Sequence, residues 1–424
     1  MDVKLKYDNY GGVIELPYSK SELIRYILLL MQIEEEFIIE NINYCEDVIT
    51  AINIAKSWGS TILELNNVIV IKGRNEPIGS HYDCGESALC LRILICILSR
   101  FHKTFYITGK GSLLRRPIGN LLNILSNNGV LIESNGNYLP LTIKGGFKNF
   151  NNFYIEEDIT SQSITGLLLS LPFVNSKSKI IIRKINSFYH FLHTYLMLKR
   201  LNFKINYENS MICIENTIPK IPKKISINVD WSIASIFIAS ALINGNLILK
   251  NISFESFQAE KIFFNILEFY GINFFFKNNS LYVTKQKIPS FCTNIIHSPD
   301  LFFPFLILLV KAPKNSYIYG IKNLAYKESN RLIAIKEIIN EINSGFFFTK
   351  NFISKLNDND LLPKKKKLVI NSFNDHRIVF TFSLMFTSIE NIEVIIKKAE
   401  CVNKSFPNFF DEIKKIGIMY EVLS

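Results

Sequence analysis

Seven basic side chains interrupt stretches that otherwise resemble the beginnings of apolar helices. They are Lys20, Arg25, Arg116, Lys327, Arg331, Arg377 and Lys404. If folding brings these positions together, their mutual repulsion must be offset by anions, and a phosphate monoester plus a carboxylate carries about −2.5 to −3 charges. Guanidinium groups can hold either anion through two parallel hydrogen bonds. These residue types therefore predict a site for two small, multiply anionic molecules.

Residues 326–331 show this pattern in one short segment. The apolar spacing after them predicts a helix from Glu328 to Ile342, which would place Lys327 and Arg331 on one face of its first turns. A helix N-terminus carries partial positive charge and is well suited to phosphate. Taken alone, the segment is also typical of a solvated helix start with mixed charges.

The elements that must position these residues repeat along the chain. Six times, a short polar or small-residue stretch opens an apolar helix, at intervals of about 70 residues. The openings lie at Ser21, Gly85, Ser161, Asp230, Asp300 and Asp375. Strand-like runs and a second helix follow most of them, and one such helix is predicted to begin at Pro117. We therefore expect an α/β protein built from β-α-β-α-β-β units, three to each of two domains.

The boundary signals favour a discontinuous domain. The strand Val13–Leu16 is expected to pair with the C-terminal half, and the Pro- and Lys-rich stretch Asn216–Lys224 is predicted to be a linker. Residues 1–17 plus 228–424 would form one domain of three repeats. Residues 18–227 would form the inserted domain, with the active site in the cleft between the two.

Composition limits the classes of function. The 424 residues carry a formal net charge of +11, which is compatible with binding nucleic acid or a membrane surface. However, the chain is rich in Ile, Asn, Lys and Phe, a bias that an AT-rich genome also produces. The basic run Lys364–Lys367 is predicted to be an exposed loop. The seven cysteines and six histidines show no metal-ligand spacing, so we expect reduced thiols, a cytoplasmic protein and no metal. No apolar run is long enough to cross a bilayer.

Six segments, in order over essentially the whole chain, resemble the 5-enolpyruvylshikimate-3-phosphate synthase family. They are Ser19-Lys20-Ser21 with Arg25, Arg116-Pro117-Ile118-Gly119, Ser161-Gln162, Lys327-Glu328 with Arg331, Asn374-Asp375-His376-Arg377, and Lys404-Ser405-Phe406-Pro407. The resemblance implies an inside-out α/β barrel of the enolpyruvyl transferase type. It also implies transfer of the enolpyruvyl group of phosphoenolpyruvate to the 5-hydroxyl of shikimate-3-phosphate, with release of phosphate, in aromatic amino acid biosynthesis. No metal or organic cofactor is implied.

The same resemblance implies a role for individual residues. Shikimate-3-phosphate would be held by Lys20, Ser21, Arg25, Thr160, Ser161, Gln162, Ser187, Asp300, Asn323 and Lys327. Phosphoenolpyruvate would be held by Lys20, Ala88, Arg116, Gln162, Arg331, Arg377 and Lys404. Asp300 would be the base that takes the proton of the 5-hydroxyl. Glu328 would protonate the methylene carbon, with Lys20 as its rival or helper.

Some positions depart from the family pattern or have simpler interpretations. Ala88 and Leu89 stand where the family usually has Gly followed by Thr, and we hypothesise that the Ala88 methyl excludes bulkier mimics such as glyphosate. Either Tyr189 or His190 could contact the sugar. Several of the polar residues are also common helix caps, among them Ser21, Ser161, Asp230 and Asp300. His376 alone is more typical of a capping or core histidine.

Other functions remain as alternatives. Enolpyruvyl transferases that act on UDP-sugars carry a reactive Cys in a loop near an Arg-Pro-Gly-Gly-type segment, and the corresponding residues 115–119 contain none. An RNA-binding or RNA-end-processing protein with the same repeat should show aromatic residues interleaved with Arg, which we do not find. An inactive relative is a third alternative. We expect a monomer without nucleic acid or membrane partners, in which Lys327→Met or Arg331→Ala abolishes phosphate release at a nearly unchanged melting temperature.

Overall fold

A computed structural model describes residues 1–156, 161–342, 345–358, 366–387 and 392–423. In chain order, its strands are β1 (Asp2–Tyr7), β2 (Gly12–Glu15), β3 (Glu36–Glu40), β4 (Thr61–Leu65), β5 (Val68–Lys72), β6 (His81–Asp83), β7 (Thr104–Thr108), β8 (Leu131–Asn135), β9 (Tyr138–Lys144), β10 (Asn152–Ile155), β11 (Ser178–Ile182), β12 (Ile205–Glu208), β13 (Met211–Ile214), β14 (Lys224–Ser226), β15 (Leu247–Lys250), β16 (Phe275–Lys277), β17 (Ser280–Val283), β18 (Cys292–Asn294), β19 (Tyr317–Tyr319), β20 (Phe346–Phe348), β21 (Phe352–Lys355), β22 (Lys367–Asn371), β23 (Glu393–Lys397) and β24 (Ile418–Leu423).

The helices alternate with these strands. In chain order, they are α1 (Lys20–Leu30), α2 (Glu46–Trp58), α3 (Ala88–Leu98), α4 (Leu121–Asn127), α5 (Gln162–Ser170), α6 (Phe188–Arg200), α7 (Trp231–Asn244), α8 (Ile262–Phe269), α9 (Phe302–Lys311), α10 (Arg331–Ile342), α11 (His376–Met385) and α12 (Phe409–Lys414). None of the described helices is both long enough and apolar enough to cross a membrane.

The chain folds into two compact units. Unit 1 comprises Met1–Tyr18 and Asn228–Ser424, and unit 2 comprises Ser19–Ile227. The expected pairing of the N-terminal strand with the C-terminal half is confirmed, because β2 runs parallel to β15. The prediction that Asn216–Lys224 is the linker that crosses between the units is wrong, because this segment leads into β14. That strand pairs with β3 inside unit 2, and the chain passes to unit 1 only after Ile227.

Each unit contains three four-stranded sheets of one topology. The orders are β14-β3-β5-β4, β6-β7-β9-β8 and β10-β11-β13-β12 in unit 2, and β2-β15-β17-β16, β18-β19-β21-β20 and β22-β23-β1-β24 in unit 1. The first two strands of every sheet are parallel, and the remaining pairs are antiparallel. Parallel neighbours need a crossover connection, and in four of the sheets a single helix, α3, α5, α9 or α11, lies between the two parallel strands in the chain. The predicted α/β fold of repeated β-α-β-α-β-β units is confirmed.

The first helix of each repeat forms the core of its unit. In unit 2, α1, α3 and α5 contact one another, and in unit 1 the same holds for α7, α9 and α11. Residues 231 to 243 of α7 are buried on every side, as expected for a helix that is apolar all round. The polar ends of these core helices are therefore the places where functional side chains can reach solvent without breaking the core.

Two second helices begin later than the sequence predicts. Residues 322–326 form a 3₁₀ segment, Lys327 is extended, and α10 begins only at Arg331. The Oδ1 atom of Asn330 accepts a hydrogen bond from the amide of Ile333 at 3.3 Å, so Asn330 supplies the cap. Lys327 and Arg331 consequently do not share the first turns of one helix.

The second late helix is α4, which begins at Leu121 rather than at Pro117. Arg116 is extended, with φ −93° and ψ 121°, because the ring of a following proline disfavours helical geometry. Of the predicted basic loop, Lys364 and Lys365 lie outside the described residues, and Lys367 is already part of β22.

Candidate active site

In unit 1, polar residues from four segments come together, and we name them the unit 1 cluster. They are Asp300, Lys327, Glu328, Arg331, Asp375, His376, Arg377 and Lys404. Asp300 lies in a 3₁₀ segment before α9, and the others lie at or near the beginnings of α10 and α11 and in the 3₁₀ segment before α12. The repeated topology therefore gathers them at corresponding positions of its repeats.

Arg331 is the most strongly held cation of this cluster. Its Nε atom donates to Oδ2 of Asp375 at 2.7 Å, and a second nitrogen donates to Oδ1 of the same carboxylate at 3.2 Å. The third nitrogen donates to Oδ1 of Asp300 at 2.8 Å. The guanidinium also lies over the ring of Phe303, 5.0 Å from its centroid. Burial alone would lower the pKa of Arg331, but the two carboxylates outweigh it and raise that pKa above the ordinary value.

Asp300 is surrounded by cationic groups. Besides Arg331, the amine of Lys327 lies 3.6 Å from Oδ1, and a guanidinium nitrogen of Arg377 lies 3.3 Å from Oδ2. The interpretation of Asp300 as an ordinary helix cap is wrong, because Leu301 occupies the N-cap position of α9. Asp300 is thus a carboxylate inside a group of anion-binding side chains, where a substrate hydroxyl held by those cations would be within its reach.

The segment Asp375–Arg377 links the cluster to two helices. Asp375 is fully buried, caps α11 by accepting from the amide of Arg377 at 3.0 Å, and binds Arg331. Ring nitrogen Nδ1 of His376 lies 2.9 Å from Oε2 of Glu328. His376 therefore contacts the predicted acid, a role beyond the capping or core function that its sequence context indicates.

Two further cations in unit 1 are anchored by uncharged groups. Arg377 donates to the hydroxyl of Ser232 at 2.8 Å and to its carbonyl oxygen at 3.2 Å. Lys404, only 5% exposed, donates to the carbonyl oxygen of Asn374 at 3.2 Å. These contacts fix the positions of the two cationic groups. Both side chains are consequently suited to anions.

Asn323 stands in the 3₁₀ segment before Lys327. Its Nδ2 atom is buried and has no acceptor among the residues that the structure describes. A buried amide nitrogen without an acceptor is costly unless a ligand supplies one. This observation supports the predicted contact of Asn323 with substrate.

In unit 2, the beginning of α1 carries three of the predicted residues. The amine of Lys20 lies 2.8 Å from Oδ2 of Asp47. Arg25, 2% exposed, donates to the hydroxyl of Thr194 at 2.9 Å and to the carbonyl oxygen of Ser21 at 2.7 Å. Ser19 caps this helix, so the interpretation of Ser21 as its cap is wrong.

Arg92 organises another part of unit 2. Its guanidinium donates to the carbonyl oxygens of Pro117 at 2.7 Å and Ile118 at 3.2 Å, and to Oε1 of Gln162 at 3.0 Å. Arg92 thereby fixes the backbone directly after Arg116 and the side chain of Gln162, two predicted ligands of phosphoenolpyruvate. The sequence analysis gave Arg92 no role. Its signal was a lone charge within the otherwise apolar run of α3.

The remaining predicted ligands of unit 2 lie at helix starts. Ala88 is the first residue of α3 and is 5% exposed. Ser161 occupies the N-cap position of α5, but its hydroxyl makes no capping hydrogen bond. Ser187 precedes α6 in the left-handed conformation, with φ 58°. Tyr189 and His190 in the first turn of α6 are both half-buried, so the choice between them stays a prediction.

Thr160 lies outside the described residues. Apart from it, the structure brings Lys327, Arg331 and Arg377 together around Asp300 in unit 1. In unit 2, the predicted ligands lie at or near the beginnings of α1, α3, α5 and α6 and in the segment before α4. Asp47, Arg92 and Glu260 have no predicted role in the sequence, and Asp375 is predicted only as a helix opening and as part of a family segment. Asp375 could have been recognised as the partner of a buried cation, because it follows Asn374 at the start of an apolar helix. Asp47 carries no such local signal.

Comparison with known proteins identifies the family. The family model described as EPSP synthase (3-phosphoshikimate 1-carboxyvinyltransferase) matches residues 6–413. The 3-phosphoshikimate 1-carboxyvinyltransferase of Clostridium novyi (strain NT) is 29% identical over 98% of this chain and 97% of that protein. The enzyme of the same name from Buchnera aphidicola subsp. Cinara cedri (strain Cc) is 29% identical over 96% of this chain and 95% of that protein.

Solved structures show the same fold. EPSP synthase from Acinetobacter baumannii superposes with a TM-score of 0.82 at 20% identity and covers all of both chains. The enolpyruvyl transferase NikO from Streptomyces tendae gives 0.74 at 10% identity, over 99% of this chain and 98% of that one. The resemblance found in the sequence is confirmed: this chain belongs to the EPSP synthase (3-phosphoshikimate 1-carboxyvinyltransferase) family.

Proposed function

We propose that this chain transfers the enolpyruvyl group of phosphoenolpyruvate to the 5-hydroxyl of shikimate-3-phosphate and releases phosphate, a step of aromatic amino acid biosynthesis. The observation that carries the proposal is the convergence of Lys327, Arg331 and Arg377 on the carboxylate of Asp300. Family membership supplies the identity of the substrates, and this convergence supplies a base beside groups that bind anions.

Asp300 takes the proton of the 5-hydroxyl as its oxygen attacks C2 of phosphoenolpyruvate. Lys327 and Asn323 hold shikimate-3-phosphate from the same side. Because Lys327 lies 3.6 Å from Asp300, it can bind a substrate oxygen and keep the base in place. The unused Nδ2 donor of Asn323 supports this assignment.

The methylene carbon gains a proton in the same addition step. In the elimination that follows, the resulting methyl group loses a proton as the C2–O bond to phosphate breaks. Glu328 is the proposed acid. Its hydrogen-bonded contact with His376 gives it a partner with which a proton can be exchanged. Lys20 remains the alternative acid, and its ion pair with Asp47 fixes its position in unit 2.

Phosphoenolpyruvate and the departing phosphate are bound by the cations. Arg331, Arg377 and Lys404 contribute from unit 1, and Lys20, Arg116 and Gln162 contribute from unit 2, with Ala88 next to the ligand. Three of these side chains are already held in place: Arg331 by Asp375, Arg377 by Ser232 and Gln162 by Arg92. They therefore need little reorganisation as negative charge develops on the intermediate.

The remaining ligands of shikimate-3-phosphate are assigned to unit 2. They are Lys20, Ser21, Arg25, Thr160, Ser161, Gln162 and Ser187. Residues 1–17 with 228–424 and residues 18–227 are proposed as the two domains of the enzyme, both of which contribute side chains to one reaction. We assign no metal or organic cofactor, and propose a monomer of the cytoplasm without nucleic acid or membrane partners.

The decisive experiment measures phosphate release from phosphoenolpyruvate with and without shikimate-3-phosphate. We expect release only when both are present, and its loss in Asp300→Asn. As a control, Glu255→Gln makes the same change from carboxylate to amide at an exposed position and should retain full activity. Release with UDP-N-acetylglucosamine as acceptor would favour the UDP-sugar alternative instead. No release with any acceptor from a folded protein would favour an inactive relative.

A further inference from the structure

Glu260 is a buried acid beside the unit 1 cluster, and none of the steps above uses it. It lies in the 3₁₀ segment Ala259–Lys261 directly before α8 and is 6% exposed. Two residues earlier, the side chain of Gln258 accepts a hydrogen bond from the amide of Trp231 at 3.0 Å and donates one to the carbonyl oxygen of Val229 at 2.7 Å. These bonds fix the segment that carries Glu260 against the start of α7.

Two acids, Asp300 and Asp230, and one cation, Arg377, influence the ionisation of Glu260. One of its carboxylate oxygens lies within 4.8 Å of a carboxylate oxygen of Asp300. Asp230, the cap of α7, is a second nearby acid, and Arg377 is the nearby cation. Lys261 in the same segment is directed to the carbonyl oxygen of Phe254. Burial above all, together with Asp300 and Asp230, raises the pKa of Glu260 from 4.5 to about 7, and Arg377 opposes this rise.

Arg377 connects this acid to substrate binding. Its guanidinium contacts Asp300 at 3.3 Å and the Ser232 hydroxyl at 2.8 Å, and that hydroxyl donates in turn to Asp230. A protonated Glu260 leaves Asp300 as the main acid that offsets Arg377, and Asp300 is already shared with Arg331 and Lys327. An ionised Glu260 adds a negative charge beside the same guanidinium.

We propose that Glu260 is a positioning residue whose proton decides how much of the Arg377 charge is available to an anionic substrate group. Protonated Glu260 favours the bound anion, and ionised Glu260 competes with it. The coupling is reciprocal, so an anion on Arg377 also favours the protonated form of Glu260. The proposal rests on the proposed function, in which Arg377 holds phosphoenolpyruvate.

The test compares KM for phosphoenolpyruvate at pH 6 and pH 8 in the wild type, Glu260→Gln, Glu260→Asp and Glu255→Gln. Ionisation of phosphoenolpyruvate itself affects all four proteins equally. Differences between them in the pH dependence of KM therefore come from the substituted side chain. Between pH 6 and pH 8, we expect KM to rise about fivefold more in the wild type than in Glu260→Gln. Glu260→Asp retains an ionisable group and should follow the wild type, as should the exposed control Glu255→Gln. The effect should appear in KM and not in kcat.

Equal pH dependence of KM in an active wild type and in Glu260→Gln would overturn the role of Glu260 and leave the proposed function intact. A wild type that releases no phosphate with both substrates would overturn the proposed function itself. If Glu260→Gln does not fold, Glu260→Asp decides the question by isothermal titration with phosphoenolpyruvate and shikimate-3-phosphate in two buffers of different ionisation enthalpy. Proton uptake at pH 7 by the wild type and by Glu260→Asp supports the proposal, and its absence in both overturns it.

Discussion

The guanidinium of Arg331 contacts the carboxylate of Asp375 through two nitrogens, at 2.7 and 3.2 Å. Both side chains are buried, Arg331 to 2% exposure and Asp375 completely. One member of the pair opens α10 and the other caps α11, so the pair joins the second repeat of unit 1 to the third. Arg331 therefore serves the fold as well as the proposed anion site.

Arg331→Ala is expected to destabilise the protein. It leaves the carboxylate of Asp375 buried without its cation, a change that typically costs about 3–5 kcal/mol of unfolding free energy. The buried pair argues against the nearly unchanged melting temperature that the sequence predicts for this variant. Urea denaturation measures the difference. The double variant Arg331→Ala with Asp375→Asn should lose less unfolding free energy than the sum of the losses in the two single variants. Strictly additive losses would contradict an energetic coupling between the two side chains.

Lys327→Met should affect turnover and not stability. Lys327 is extended and its side chain is 25% exposed, so loss of its 3.6 Å ion pair with Asp300 should cost the fold little. Loss of a charge that binds substrate and contacts the base should lower kcat/KM by about a hundredfold or more. Lys322→Met, at an exposed position in the preceding 3₁₀ segment, is the matched control. Similar activities of the two variants would remove Lys327 from the site.

Arg92→Lys should raise KM for phosphoenolpyruvate by about tenfold or more, although charge is retained. A lysine amine cannot reach the carbonyl oxygens of Pro117 and Ile118 and the side chain of Gln162 in the geometry that a guanidinium provides. Steady-state kinetics measures the change. Arg74→Lys, at an exposed position of the same unit, should behave as the wild type. An unchanged KM in Arg92→Lys would show that the backbone after Arg116 does not depend on Arg92.

Ala88→Gly should lower the inhibition constant for glyphosate. The Ala88 methyl lies at the buried start of α3, and its removal would open space beside the proposed phosphoenolpyruvate site. The measurement is the inhibition constant against phosphoenolpyruvate in the natural chain and in the variant. KM for phosphoenolpyruvate provides the control, since it reports whether the site is otherwise intact. Equal inhibition constants would count against the steric role of Ala88.

Glu260→Gln should change how stability depends on pH. The pKa of Glu260 is raised from 4.5 to about 7 by burial and by Asp300, so its folded-state proton stabilises the protein fully below pH 4.5, and this stabilisation is lost as pH rises through about 7. The loss is on the order of 3 kcal/mol. Relative to the wild type, the glutamine variant should therefore gain unfolding free energy between pH 5 and pH 8.

Urea denaturation at the two pH values measures this gain without substrate. Glu255 is exposed, so the difference in unfolding free energy between Glu255→Gln and the wild type should be the same at both pH values. A constant difference for Glu260→Gln as well would mean that the acid does not titrate in this range.

The sequence by itself determined the repeats and the family. Apolar periodicity and local caps set the starts of core helices, as at Asp230 and Asp375, because these signals lie within a few residues of one another. The ordered family segments then identified most of the candidate ligands. Local spacing was less successful near Lys327, where Asn330 rather than Glu328 marks the start of α10.

Only the tertiary structure decided which of these residues meet. Arg331 reaches Asp375 across 44 residues and Asp300 across 31, and Glu260 reaches Asp300 from a different repeat. Such pairs depend on how separate repeats stack, and no local pattern records that stacking. The protonation of Glu260 and the anchoring of Arg377 by Ser232 follow from burial and from neighbours distant in the chain, so they emerged from the packed fold alone.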